Sequence, residues 1–119
     1  MKVCFLLDEN ESPRLKTALL RLEPALDVLR VGDPGAPPRG TADPDILRYL
    51  EISGRMLVMS NRKSMPAHVR AHWEAGGHLW GLLWVRSGTP MGRLAQELYL
   101  VWEASEAEEW VDRLDWIPF

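Results

Sequence analysis

The chain has 119 residues, 46% hydrophobic and 26% charged, enough to bury one continuous core, so a single domain over residues 1–119 is expected without metal or disulfide staples. Its formal net charge of -3 argues against capture of nucleic acid by bulk positive charge. The single cysteine, Cys4, sits in an apolar run and excludes an internal disulfide framework, which leads us to expect a reducing, cytoplasmic compartment.

No apolar stretch approaches the length of a membrane span, and the run before Asp8 is too short for a signal-peptide core, so the expectation is a protein that does not enter a membrane. The modest net charge conceals a segregation. Between Gly54 and Arg93 the cations Arg55, Arg62, Lys63, Arg70, Arg86 and Arg93 face one acid, Glu74, whereas from Leu94 onward seven acids face only Arg113. Such segregation is commonly a set of solvated faces; its sharper reading is a basic middle that approaches an anion.

In chain order, the apolar run Lys2–Leu7 reads as a first strand, followed by a helix that Ser12-Pro13 opens. A second strand is expected over Asp27–Val31, then a Pro/Gly-rich loop from Gly32 to Gly40 and a helix opened by Asp43-Pro44. A third strand follows over Arg55–Met59, with Ser64-Met65-Pro66 opening the next helix. The fourth strand is expected over Leu79–Val85, and Thr89-Pro90 then starts a further helix. Ser105 with Glu108 has capping-box spacing for a short helix before a last strand over Arg113–Ile117. Continuous apolar runs in strands one, three and four point to strands covered on both faces. The fold class is therefore α/β: a three-layer α/β/α sandwich with a mostly parallel sheet of about five strands and right-handed crossovers.

Ligands of open α/β sheets bind beyond the carboxyl ends of the strands. Asp8, Glu9 and Asn10 follow the first strand, Asp33 the second, and Ser60-Asn61-Arg62-Lys63-Ser64 the third, while Asp43 and Asp45 sit at a helix start. Carboxylates gathered from separate strand ends repel one another unless a cation or proton offsets them, and hard ions such as Mg²⁺ or Mn²⁺ could activate water there for attack on a phosphodiester. Asp43 also has an ordinary structural reading as a helix cap, and Asp8 as a turn residue.

Leu6-Leu7-Asp8-Glu9-Asn10 with Ser12-Pro13, then Val31-Gly32-Asp33, Asp43-Pro44-Asp45-Ile46-Leu47, Gly54-Arg55-Met56-Leu57-Val58 and Met65-Pro66-Ala67-His68 together resemble the small bacterial PIN-like domains, over nearly the whole chain. The resemblance implies a metal-dependent ribonuclease, such as the toxin of a type II toxin–antitoxin pair, with Mg or Mn as cofactor and RNA and a cognate antitoxin as partners. It implies a first metal-site acid at Asp8, with Asp43 or Asp45 as the second. After strand three the family typically places an aspartate, often with another two positions later, where this chain has Asn61 and Lys63.

Two readings follow. In one, Asp8, Asp45 and Asn61 serve catalysis, with Asp8, Asp43 and Asp45 as metal ligands, while Arg62, Lys63 and Arg70 approach nucleic-acid phosphates. In the other, the domain is a catalytically inactive binding module in which Lys63 replaces the cation and pairs with Asp8. An acidic pair after the first strand is also similar to receiver domains, but Asn61 stands where those need a phospho-accepting aspartate. His68 and His72 are four apart, with His78 beyond, which suits surface or packing histidines better than zinc because no third ligand is evident. Six tryptophans read mainly as core, with a remainder available to a homodimer or antitoxin interface.

Overall fold

The computed structural model describes residues 1–60 and 64–119. Its elements run β1 (Cys4–Leu7), α1 (Pro13–Leu22), β2 (Val28–Arg30), α2 (Asp43–Ser53), β3 (Arg55–Met59), α3 (Met65–Glu74), β4 (Leu82–Val85), α4 (Met91–Ala104), a 3₁₀ turn (Ala107–Trp110) and β5 (Leu114–Ile117). All strand pairs are parallel, in the order β2-β1-β3-β4-β5. The architecture is thus α/β with a five-strand parallel sheet, as the sequence pattern led us to expect. No helix among the described residues is long and apolar enough to cross a membrane.

The apolar runs are two-faced. Phe5, Leu7, Met56, Val58, Leu83 and Val85 point into one cluster with Leu15 and Leu19 of α1 and Leu94 and Leu98 of α4. Leu6, Leu57, Met59, Leu82 and Trp84 point the other way, against Ile46, Leu47 and Leu50 of α2 and Met65 and Val69 of α3. Each fully buried Leu contributes about 1.5–3 kcal/mol relative to exposure, so the two clusters together clamp β1, β3 and β4 from both sides.

This placement corrects one expectation about topology. The steps β3 to β4 and β4 to β5 go in the same direction across the sheet, yet α3 lies on one face and α4 on the other. The last crossover therefore has the opposite hand from the one before it, against the near-universal right-handed rule. Because α4 packs beside α1, no further helix among the described residues follows β4 onto the α2/α3 side, where Leu114 and Trp116 of β5 are 36% exposed.

Local signals were partly reassigned. Ser12 caps α1 as expected, its side chain accepting from the Arg14 N–H at 3.1 Å. Asp43 is not a cap: Ala42 holds that position, and the Asp43 carboxylate instead accepts from the Ser64 hydroxyl at 2.9 Å. Thr89 donates its hydroxyl to Arg86 O, leaving Pro90 as the residue before α4. The capping box is formed by Glu106 and Glu109, while the Ser105 hydroxyl accepts from Trp110 Nε1.

The fourth strand begins three residues later than its apolar run, because the Leu79 amide is held by the Asp112 side chain and Gly81 turns the chain at φ 102°. A Cβ at Gly81 would stand 3.0 Å from Met56 Cε and from Trp110 Cβ. Gly81→Ala should therefore cost about 1–3 kcal/mol from backbone strain alone, seen as a lower urea midpoint with an unchanged m-value; wild-type stability would contradict this account.

Candidate functional site

In this strand order the chain leaves β1 toward one side and β3 toward the other, so the crevice for a ligand lies over the carboxyl ends of β1 and β3. Asp8 stands there. Its N–H continues the ladder to Val58 O at 3.0 Å, and the chain then turns so that the Glu11 N–H bonds Asp8 O at 2.9 Å. The turn is braced from β2: Arg30 donates through Nε to Glu11 O at 2.7 Å and through Nη2 to Glu9 O at 2.6 Å. Asp33 completes the brace by accepting from the Arg30 amide at 2.8 Å and from Lys16 Nζ at 2.7 Å.

The brace turns Glu11 inward. It is 8% exposed and the only buried charged side chain among the described residues, with Oε1 accepting from the Ser60 hydroxyl at 2.7 Å. Burial pushes its carboxyl above the usual range, and the nearby Asp8 charge adds to this, while Ser60 and Arg30 partly offset it. Asp8 is raised too, first by burial and then by the charges of Glu9 and Asp43, against the relief of the Asn10 and Glu9 amides. Glu9 faces away, accepting from the Gly40 amide at 3.2 Å.

The acidic corner thus combines Asp8, Glu11 and, electrostatically, Asp43. Asp43 lies beside Ser64 and 4.0 Å from His68 Nε2. Asp45 is exposed and its carboxylate is taken up by Arg48, so its ionic partner is on its own helix. Arg70 is exposed on α3. Asn61, Arg62 and Lys63 lie outside the described residues. Glu11 was missed by sequence reading because it sits three residues past Asp8, where turn and cap signals dominate; only the Arg30 brace turns it toward Ser60.

Among the described residues no three carboxylates, imidazoles or thiols gather closely enough to hold a metal ion. Mg²⁺ is commonly held by only one or two carboxylates, with waters and substrate phosphates completing its shell. The mutual repulsion of Asp8 and Asp43 fits such an open site, while the exposed Asp45 carboxylate is paired with Arg48 on its own helix.

The histidines do not form a zinc centre. His72 Nε2 meets Glu51 Oε1 at 2.8 Å, and His78 Nδ1 meets Asp112 Oδ2 at 2.7 Å, which raises His78 above its usual range. Among the tryptophans, Trp84 and Trp110 are buried and Trp80 and Trp102 pack against the core, while Trp73 and Trp116 are exposed to 36%.

Since burial raises the Glu11 carboxyl, the folded chain holds that proton more tightly than the unfolded chain. Its contribution is present below the ordinary glutamate range and is lost as pH rises through the raised value. Glu11→Gln keeps an acceptor for Ser60 without the charge, so its melting temperature should gain on the wild type as pH climbs from about 4 to about 8. A difference that stays flat or reverses across that range would contradict the buried-carboxyl account.

No family model, curated protein or solved structure matches this chain.

Proposed function

We propose that this chain is a PIN-like domain protein that acts as a divalent-metal-dependent ribonuclease, with Asp8 at the centre of its site. The observation that carries this reading is the Asp8 carboxyl at the carboxyl end of β1, partly withdrawn from water and repelled by Glu9 and Asp43. A hard cation offsets that repulsion, and Asp8 with Asp43 would hold it. When bound, Mg²⁺ or Mn²⁺ supplies a water of lowered pKa for attack on a phosphodiester.

The chain's own residues do the rest. Arg30 fixes the turn that carries Asp8, while Asn61 offers a neutral oxygen near strand three's end and Arg62, Lys63 and Arg70 meet the RNA phosphates. As a toxin in the cytoplasm it would have an antitoxin partner. A second reading, an inactive PIN-like binding module, is favoured by the residues Asn61 and Lys63 in the sequence where PIN-like domains typically carry aspartates.

Cleavage of single-stranded RNA with Mg²⁺ or Mn²⁺ separates the two. Wild-type protein should cut only with the ion, and Asp8→Asn should lose at least the roughly 10- to 100-fold that even supporting residues of metal sites contribute. No metal-dependent cutting by the wild type, with activity appearing in Asn61→Asp, would leave the binding module as the answer.

A further inference from the structure

The sheet ends in two outer strands, β2 and β5, and an open strand edge is a template for pairing with another strand. The two edges differ. On β2 the outward main-chain groups of Arg30 are already taken: its N–H donates to the Asp33 carboxylate at 2.8 Å, and its C=O accepts from the Asp33 N–H at 2.9 Å. Asp33 therefore blocks that edge at its carboxyl end.

The β5 edge is open at its first residue. Arg113 O accepts from the Leu82 N–H at 3.0 Å and Ile117 O from the Arg86 N–H at 2.8 Å, so Arg113, Asp115 and Ile117 turn their main-chain groups toward β4. Leu114 turns its N–H and C=O outward, and among the described residues no hydrogen bond reaches either group. Apolar side chains flank the edge on both faces. Leu114 and Trp116 lie on the α2/α3 side, and on the α1/α4 side Leu100, Val101, Trp110 and Phe119 line a groove of about 420 Å³. Leu100, Leu114, Trp116 and Phe119 are each at least 36% exposed.

Charge decides what fits this edge. Arg113 and Asp115 stand on the face opposite Leu114, joined by a 2.9 Å ion pair that leaves both partly exposed. If a second β5 lies antiparallel with Leu114 at the centre, Arg113 of one copy stands opposite Asp115 of the other, and the two-fold axis repeats the contact. Centring on Asp115 instead would set two carboxylates directly against each other, which is destabilising. The strand is thus complementary to itself in the register that uses the open Leu114 main chain.

We propose that a second copy of this chain adds its β5 antiparallel to this one, across a two-fold axis at Leu114, and extends the two sheets into one. The Leu114 main chains exchange two hydrogen bonds, and two Arg113–Asp115 pairs form between the copies. The axis stands perpendicular to the sheet, so like faces stay together and apolar flank meets apolar flank. Because the pairing is antiparallel, the two Asp8 corners face opposite ends of the dimer, and the proposal does not rest on the ribonuclease reading.

Sedimentation velocity of the full chain tests it. A species of twice the 13.6 kDa chain mass is expected, with Kd at or below about 100 µM. Leu114→Pro removes an outward N–H and no bond to β4, a position where edge strands tolerate proline, so it should stay folded by circular dichroism and weaken the dimer about tenfold or more. Arg113→Asp and Asp115→Arg should each weaken self-pairing about tenfold, yet the two variants should pair with one another when mixed. Mixing sets opposite charges together at both contacts while neither chain regains its internal ion pair, so recovery reports the contact between copies. A chain that stays monomeric up to about 1 mM, a dimer undiminished in all three variants, or a mixture that pairs no more tightly than either charge variant alone overturns the proposal.

Discussion

A sheet buried on both faces can place polar side chains only where its strands end, and that constraint organises this molecule. Along β1, β3 and β4 the fully buried positions on either side are taken by apolar residues, and Arg55 lies only at the start of β3. The first polar side chains available are therefore Asp8 after β1, Ser60 after β3 and Arg86 after β4, which arrive together at one edge because all the strands are parallel. The clustering of chemistry at that edge is a consequence of burial before it is a consequence of function.

What distinguishes the edge from an ordinary set of turns is the grip of Arg30 on the segment after β1. Two guanidinium bonds to the carbonyls of Glu9 and Glu11 fix backbone that would otherwise be exposed loop, and Asp33 and Lys16 hold the arginine's own strand end in place. The result is a carboxyl, Glu11, forced out of water beside a second one, Asp8. Both are raised mainly by burial. Among the described residues, the unlike charge that relieves Glu11 is Arg30, whose hydrogen bonds go to carbonyls rather than to a carboxylate, so the corner keeps an electrostatic demand for a proton or a cation.

The other half of the molecule is shaped by where α4 packs. By lying against α1 rather than following α3, it covers one face of the sheet beside the cavity at Glu11, while Leu114 and Trp116 of β5 stay partly exposed on the opposite face. One packing choice thus sets both the covered face and the partly exposed one. The cost of the reversed crossover is met by the burial of Leu94, Ala95, Leu98 and Val101 in the cluster they share with α1.

By itself the sequence determined the order of elements, the parallel sheet and the place of Asp8, because those follow from local rules: apolar runs covered on both faces, prolines at helix starts, and a carboxylate where a central strand ends. The bounds of β3 and the Ser12 cap were legible to the residue. The roles of Asp43, Thr89 and Ser105 were not: Asp43 takes its partner, Ser64, from elsewhere in the fold, and Thr89 and Ser105 bond to the neighbouring Arg86 O and Trp110 Nε1 instead of capping the helices that follow them. Only the tertiary structure decided that Glu11 turns inward and that α4 crosses on the α1 side. The acidic corner that Asp8 announces was thus a matter of sequence, but its membership depends on contacts between residues as far apart as Glu11 and Ser60, which no local pattern encodes.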